Sequence, residues 1–346
     1  MKKRIALLLA GVLAVASLTA CGGNTDKAST VKVGVGMSVD FTYGSYSVGD
    51  QKYGQTLTEG IGQADVHVAA VTLNEDGTIA DVQIDAVQVM ANFDATGKIT
   101  SDLTATFPSK ADLKEKYDMK KASGISKEWY EQADNFETWC KDKTPEQVAA
   151  LAVDEEGKPT DDTITSGCTI VVTELKAAVA DACANAKAGN WTAASTDVLG
   201  LGLDGRFGGS YYNWNAEEGK DGQIQAYVTY AATTTDAEGK ITCAVVDCVQ
   251  ANSTFDTTGK ITTDTETTVV SKYNLKEKYD MKKASAIGKE WYEQTEAFMT
   301  TVKGMTADQV AAIVVDAEGK PTDTTLTTGC TMVVTEMIQA VVNAIK

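Results

Sequence analysis

Two kinds of hydrophobic spacing alternate along this chain of 346 residues. Residues 66–73 and 79–89 are rich in Val, Ile and Ala and read as β-strands, joined by Asn74-Glu75-Asp76-Gly77, a hairpin signal. Residues 223–234 and 240–250 repeat the pattern around Asp236-Ala237-Glu238-Gly239, and a further strand is predicted after Gly97 and after Gly259. The period then lengthens. Trp129, Ala133, Phe136 and Cys140 fall on one helical face, and Trp291, Thr295, Phe298 and Val302 repeat that face. A short helix is predicted from Thr144-Pro145-Glu146-Gln147, with Thr at the N-cap, Pro at the first helical position and Gln closing the cap. Thr306-Ala307-Asp308-Gln309 is its counterpart. Final helices are expected over 174–186 and 336–345. Strands followed by helices predict an α+β unit with an antiparallel sheet packed against helices.

Every element occurs twice because the chain is an internal duplication. Residues 113–133 and 275–295 are nearly identical, and Val33-Gly34-Val35-Gly36 is echoed by Leu199-Gly200-Leu201-Gly202. The expected organisation is two tandem homologous domains, 31–187 and 198–346. Residues 188–197, with Gly189, Asn190 and several Ser, Thr and Ala, read as the linker between them. Units of this length can each hold a core, which argues against a solenoid.

The first residues read differently. Lys2, Lys3 and Arg4 precede a short apolar stretch, and Leu18-Thr19-Ala20-Cys21 resembles a bacterial lipobox. A signal peptide over 1–20, lipidation of Cys21 and a polar tether over 21–30 are expected, which would hold the protein on the outer face of the cell membrane. The formal charge of −17 argues against nucleic acid as a partner, because phosphate binding needs clustered Lys and Arg. Of the seven cysteines only Cys168 and Cys330 are equivalent in the two copies, so no shared disulfide framework is expected. Cys243 and Cys248 lie in a strand-like run with opposite parity, which disfavours a bond between them. His67 is the only histidine, so a histidine-based catalytic site cannot recur in both copies; it reads as an ordinary strand residue.

The candidate chemistry lies in the segment that both copies keep. Residues 157–169 read GKPTDDTITSGCT and residues 319–331 read GKPTDTTLTTGCT. Each ends in a hydroxyl residue, a glycine, a cysteine and a threonine: Ser166-Gly167-Cys168-Thr169 and Thr328-Gly329-Cys330-Thr331. Glycine permits a sharp turn or the close approach of a bulky group. A helix start nearby would suit a phosphate. Taken alone, the pattern also fits a structural turn with satisfied hydroxyls.

The segments resemble the flavinylation motif of FMN-binding domains, Asp-x-x-(Ser/Thr)-Gly-Ala-Thr. Together with the lipobox, the duplication, residues 117–123 (YDMKKAS) and residues 127–132 (KEWYEQ), they make the chain similar to duplicated surface lipoproteins of Gram-positive extracellular electron transfer. The resemblance implies FMN bound through a phosphoester to Thr169 and Thr331, up to two per chain, attached by a separate flavin transferase that uses FAD. It also implies roles in the motif for Ser166, Gly167, Cys168, Thr328, Gly329 and Cys330. Two departures stand out. Cysteine replaces the usual alanine, and Asp162 lies one position too far out, with Thr324 in its place in the second copy; Asp161 and Asp323 do align. Trp129 and Trp291 are candidate ring neighbours, although the helical stripe equally makes them core residues. Lys127 and Lys289 read as phosphate partners or as a solvated helix start. Cys168 and Cys330 read as small packing residues or as redox-active thiols.

The function expected from this reading is that of an electron carrier rather than a self-contained enzyme. Electrons would come from a membrane quinone or NADH dehydrogenase system and pass to external acceptors. The alternatives are a solute- or peptide-binding surface lipoprotein without a redox cofactor and an adhesive surface repeat.

Overall fold

The computed structural model describes residues 28–345 apart from Tyr43, Tyr53, residues 216–218 and Glu266. The expected signal peptide, Cys21 and the tether as far as residue 27 lie outside the described residues. Strands in the first copy are β1 (Thr30–Asp40), the short pair β2 (Gln51–Lys52) and β3 (Gln55–Thr56), β4 (Gly60–Leu73), β5 (Ile79–Phe93) and β6 (Thr106–Phe107). Its helices are α1 (Lys110–Leu113), α2 (Trp129–Cys140), α3 (Pro145–Ala149), α4 (Asp162–Thr165) and α5 (Thr173–Ala188). The chain continues through β7 (Thr192–Ala194), β8 (Val198–Phe207), β9 (Gly222–Thr235) and β10 (Ile241–Phe255). It ends with α6 (Lys272–Leu275), α7 (Trp291–Val302), α8 (Ala307–Ala311), α9 (Thr324–Thr327) and α10 (Thr335–Ala344). The fold class is α+β, as the spacing predicts.

Two four-stranded antiparallel sheets, ordered β5-β4-β1-β7 and β10-β9-β8-β6, face one another. Helix α5 covers β1 and β4 on the outside of one sheet, and α10 covers β8 and β9 on the outside of the other. Both faces of each central strand are therefore buried, so β4 shows a nearly continuous apolar run instead of strict alternation. Along β4, Val66, Val68 and Ala70 point between the sheets, while Ala69, Val71 and Leu73 point under the helices. Phe93 and Phe255, equivalent in the two copies, stack between the sheets at 4.0 Å between ring centroids.

The glycines of the Val-Gly-Val-Gly echo have a packing role. A Cβ on Gly36 would lie 2.1 Å from the Ala182 backbone nitrogen in α5, and one on Gly202 would lie 2.2 Å from the Ala340 carbonyl oxygen in α10. Helix and strand touch backbone to backbone there, which only glycine allows.

Some expectations need correcting. The strand predicted after Gly97 and Gly259 reduces to isolated bridges, Phe93 to Ile99 and Phe255 to Ile261, because the chain turns back on its own hairpin partner. The segment read as a linker contributes β7, whose Thr192, Ala193 and Ala194 pair with β1. The copies also exchange structure: β6 of the first pairs with β8 of the second. Loops cross in the same reciprocal way. Val48 donates to the Gly259 carbonyl at 2.8 Å and Trp214 to the Gly97 carbonyl at 3.0 Å.

Candidate functional site

The motif lies between α4 and α5. Asp161 and Asp323, the acidic residues that align, cap α4 and α9 through the amides of Thr163 and Thr325. The Thr163 hydroxyl and then its amide hold the Asp161 carboxyl below its ordinary range, and chiefly the Thr325 amide does so for Asp323. Asp162 is the exposed first residue of α4, so the displaced acid of the motif serves the helix start.

After α4 the chain passes tightly under α2. A Cβ on Gly167 would lie 2.2 Å from Asn135 Oδ1, and one on Gly329 would lie 2.5 Å from the Ala297 Cβ. The motif glycine is thus required by close approach; neither residue has a positive φ. Cys168 and Cys330 are fully buried, and burial pushes both thiols up to about 11. They stay protonated at neutral pH, which favours the small packing residue over a reactive thiolate. The six cysteines of the described residues are all free, Cys243 and Cys248 among them.

The motif threonine is held by a residue the pattern reading passed over. Gln132 Oε1 accepts from the Thr169 amide at 2.8 Å and from its hydroxyl at 3.1 Å. In the second copy Gln294 accepts from Thr331 in the same way, at 2.8 and 3.4 Å. Gln132 is itself fixed by donating to Ser123 Oγ and the Lys127 carbonyl, both at 3.1 Å. The signal was available: a fully buried glutamine one turn after Trp129, repeated as Gln294 after Trp291. Because the Thr169 hydroxyl donates its proton to Gln132, the oxygen keeps its lone pairs for another partner. Ser166 and Thr328 are exposed beside it, and Thr328 donates to the Thr325 carbonyl.

Thr169 opens onto a cavity of about 490 Å³. Its walls include Trp129, Tyr117, Met119, Ile170 and Val171, with Asp40, Asp65, His67, Lys110, Lys158, Gln132 and Glu174 supplying polar atoms. Trp129 is 4 % exposed, a core residue that also forms part of the cavity wall. The cations of the cavity are Lys110 and Lys158; Lys127, read as a phosphate partner or a solvated helix start, is not among the lining residues.

Lys110 is buried, lies 3.6 Å from Asp65 Oδ2 and sits 5.4 and 5.7 Å from the Tyr117 and Trp129 ring centroids. Burial raises the Asp65 carboxyl above its ordinary value, with the Lys110 charge and bonds from Gln63 and Gln88 opposing the rise. His67 lies on β4 as predicted and lines the cavity, while its Nδ1 is closed off in the protein without a hydrogen-bond partner. Burial, and secondarily the nearby Lys110 charge, push its imidazole down to about 3, so it is neutral at physiological pH.

No family model, curated protein or solved structure matches the chain. Among the described residues no helix is long and apolar enough to cross a membrane.

Proposed function

We propose that this protein is an extracellular, lipid-anchored electron carrier that holds FMN through a phosphoester on Thr169 and on Thr331. The observation that carries the reading is the motif threonine of the first copy. Its hydroxyl is oriented by Gln132 and opens onto a cavity of about 490 Å³, within the range of small-molecule and cofactor sites. Aromatic walls from Trp129 and Tyr117 suit a flat ring, Lys110 suits ring carbonyls, and the carboxylates of Asp40 and Asp65 suit a ring N–H.

The bond would form between threonine Oγ1 and the phosphorus of the FMN half of FAD in a flavin transferase. The hydroxyl proton is lost and AMP leaves. The bound group would supply reversible electron storage; the chain supplies attachment and, at Thr169, a walled cavity for the ring. Covalent attachment matters outside the cell, where a freely dissociating cofactor would follow its own dilute concentration. Electrons enter from a membrane quinone or NADH dehydrogenase system and leave to external acceptors.

Intact mass of the chain co-produced with a flavin transferase should show one or two FMN adducts that survive denaturation, lost in the Thr169→Val/Thr331→Val variant. Retention of the adducts in that variant would refute the attachment sites. An unmodified, colourless chain that binds a metabolite by calorimetry would favour the solute-binding alternative.

A further inference from the structure

The two copies share the motif but differ around it. Strand register makes the comparison direct. In the first copy Asp40 on β1 faces Asp65 on β4, and Ser38 faces His67. In the second copy Arg206 on β8 faces Tyr227 on β9, and Asp204 faces Thr229. Two aspartates that line an open cavity are thus replaced by an arginine and a tyrosine, and the histidine by a threonine.

These larger side chains are tied down. Arg206 bonds both oxygens of Asp204 at 2.6 and 2.7 Å and reaches Glu336 Oε1 at 3.1 Å. Lys272, the counterpart of Lys110, donates to the Tyr227 hydroxyl at 2.8 Å and lies 4.3 Å from the centre of its ring. Thr229 is only 1 % exposed, whereas His67 lines the cavity. The lysine that faces a carboxylate in the first copy is thus occupied by a phenol in the second, and the floor of the pocket is covered.

We propose that the copies hold their flavins differently: the ring on Thr169 is taken into the cavity with His67 and Lys110 as its polar contacts, while the ring on Thr331 stays at the surface because Tyr227 and Arg206 fill the corresponding space. This rests on the flavin reading above.

The test uses two full-length chains co-produced with the transferase, Thr331→Val with flavin at Thr169 alone and Thr169→Val with flavin at Thr331 alone. Iodide quenching of the flavin emission reads exposure without any turnover assay. The flavin at Thr331 should be quenched several-fold more efficiently than the flavin at Thr169. In a third chain, Arg206→Asp/Tyr227→Asp/Thr229→His in the Thr169→Val background, the difference should narrow. In Thr331→Val/His67→Ala, the flavin should become more accessible. Equal iodide access at the two sites overturns this inference and leaves the flavin reading intact. Absence of flavin from both single-site chains overturns the flavin reading and this inference with it.

Discussion

Glu137 on α2 has the clearest consequence of burial at the level of a single side chain. Its Oε1 accepts the Ile84 amide at 2.6 Å, and burial pushes the carboxyl up to about 8. An unfolded chain would release this proton near the ordinary glutamate range, whereas the folded chain keeps it until about pH 8. The folded state binds more protons in that window, so stability falls as pH rises through it. Asp85 and Asp247, raised to about 6 by burial, act in the same direction at the acidic end. Melting temperature should therefore fall between about pH 6 and pH 8, and Glu137→Gln should flatten that fall while keeping an acceptor for Ile84. Scanning calorimetry at both pH values decides it; an unchanged slope would assign the dependence elsewhere. The second copy has Met299 at this position, its Sδ lying 3.0 Å from the Val246 amide nitrogen, so that copy makes no matching contribution. At this scale the sequence was partly legible: Thr169, Thr331 and the motif glycines announce themselves by repetition. Gln132 is repeated too, as Gln294, but nothing in a local pattern reveals that this buried amide meets the motif, or that His67 carries an unpaired atom.

At the level of elements, caps and periodicity carried most of the information. The capping boxes at Thr144 and Thr306, and the helical stripes beginning at Trp129 and Trp291, depend on neighbours within a turn or two. Strand β1 was harder to read. Its Gly34 and Gly36 look like strand breakers until α5 is laid across them. Gly36→Ala should push α5 off the sheet and cost about 1–3 kcal/mol or more, as overpacking does. Gly49→Ala has open space around it but a positive φ, so it separates the cost of a strained turn from the cost of crowding. Denaturant titration should rank Gly36→Ala as the more damaging; the reverse order would mean the helix yields easily.

At the level of the whole molecule, the duplication does not simply yield two separate globules. The sheets bury their inner faces on each other, β6 completes the sheet of the second copy and the linker strand β7 that of the first, and the loops at Val48 and Trp214 cross over. A chain ending near residue 190 would expose the inner face formed by Val66, Val68, Val87 and Phe93 and would lack β7. Expressed alone, residues 28–190 should self-associate by light scattering, whereas co-expression with the second half should recover a soluble complex. A monomeric, cooperatively melting first half would show that the copies are energetically independent.

Strand and helix identity followed from residues close together in the chain, because caps, turns and side-chain periodicity are local, and the duplication and the motif from the chain's likeness to itself. The pairing of one copy's sheet with the other's, and the gathering of Asp65, His67, Lys110, Gln132 and Thr169 around one cavity, came only from tertiary structure. Those side chains arrive from a strand, a helix start, a second helix and a loop that share no local pattern. Whether the space between them stays open or is filled, as Tyr227 and Arg206 fill it in the second copy, depends on which residues the strand register brings face to face.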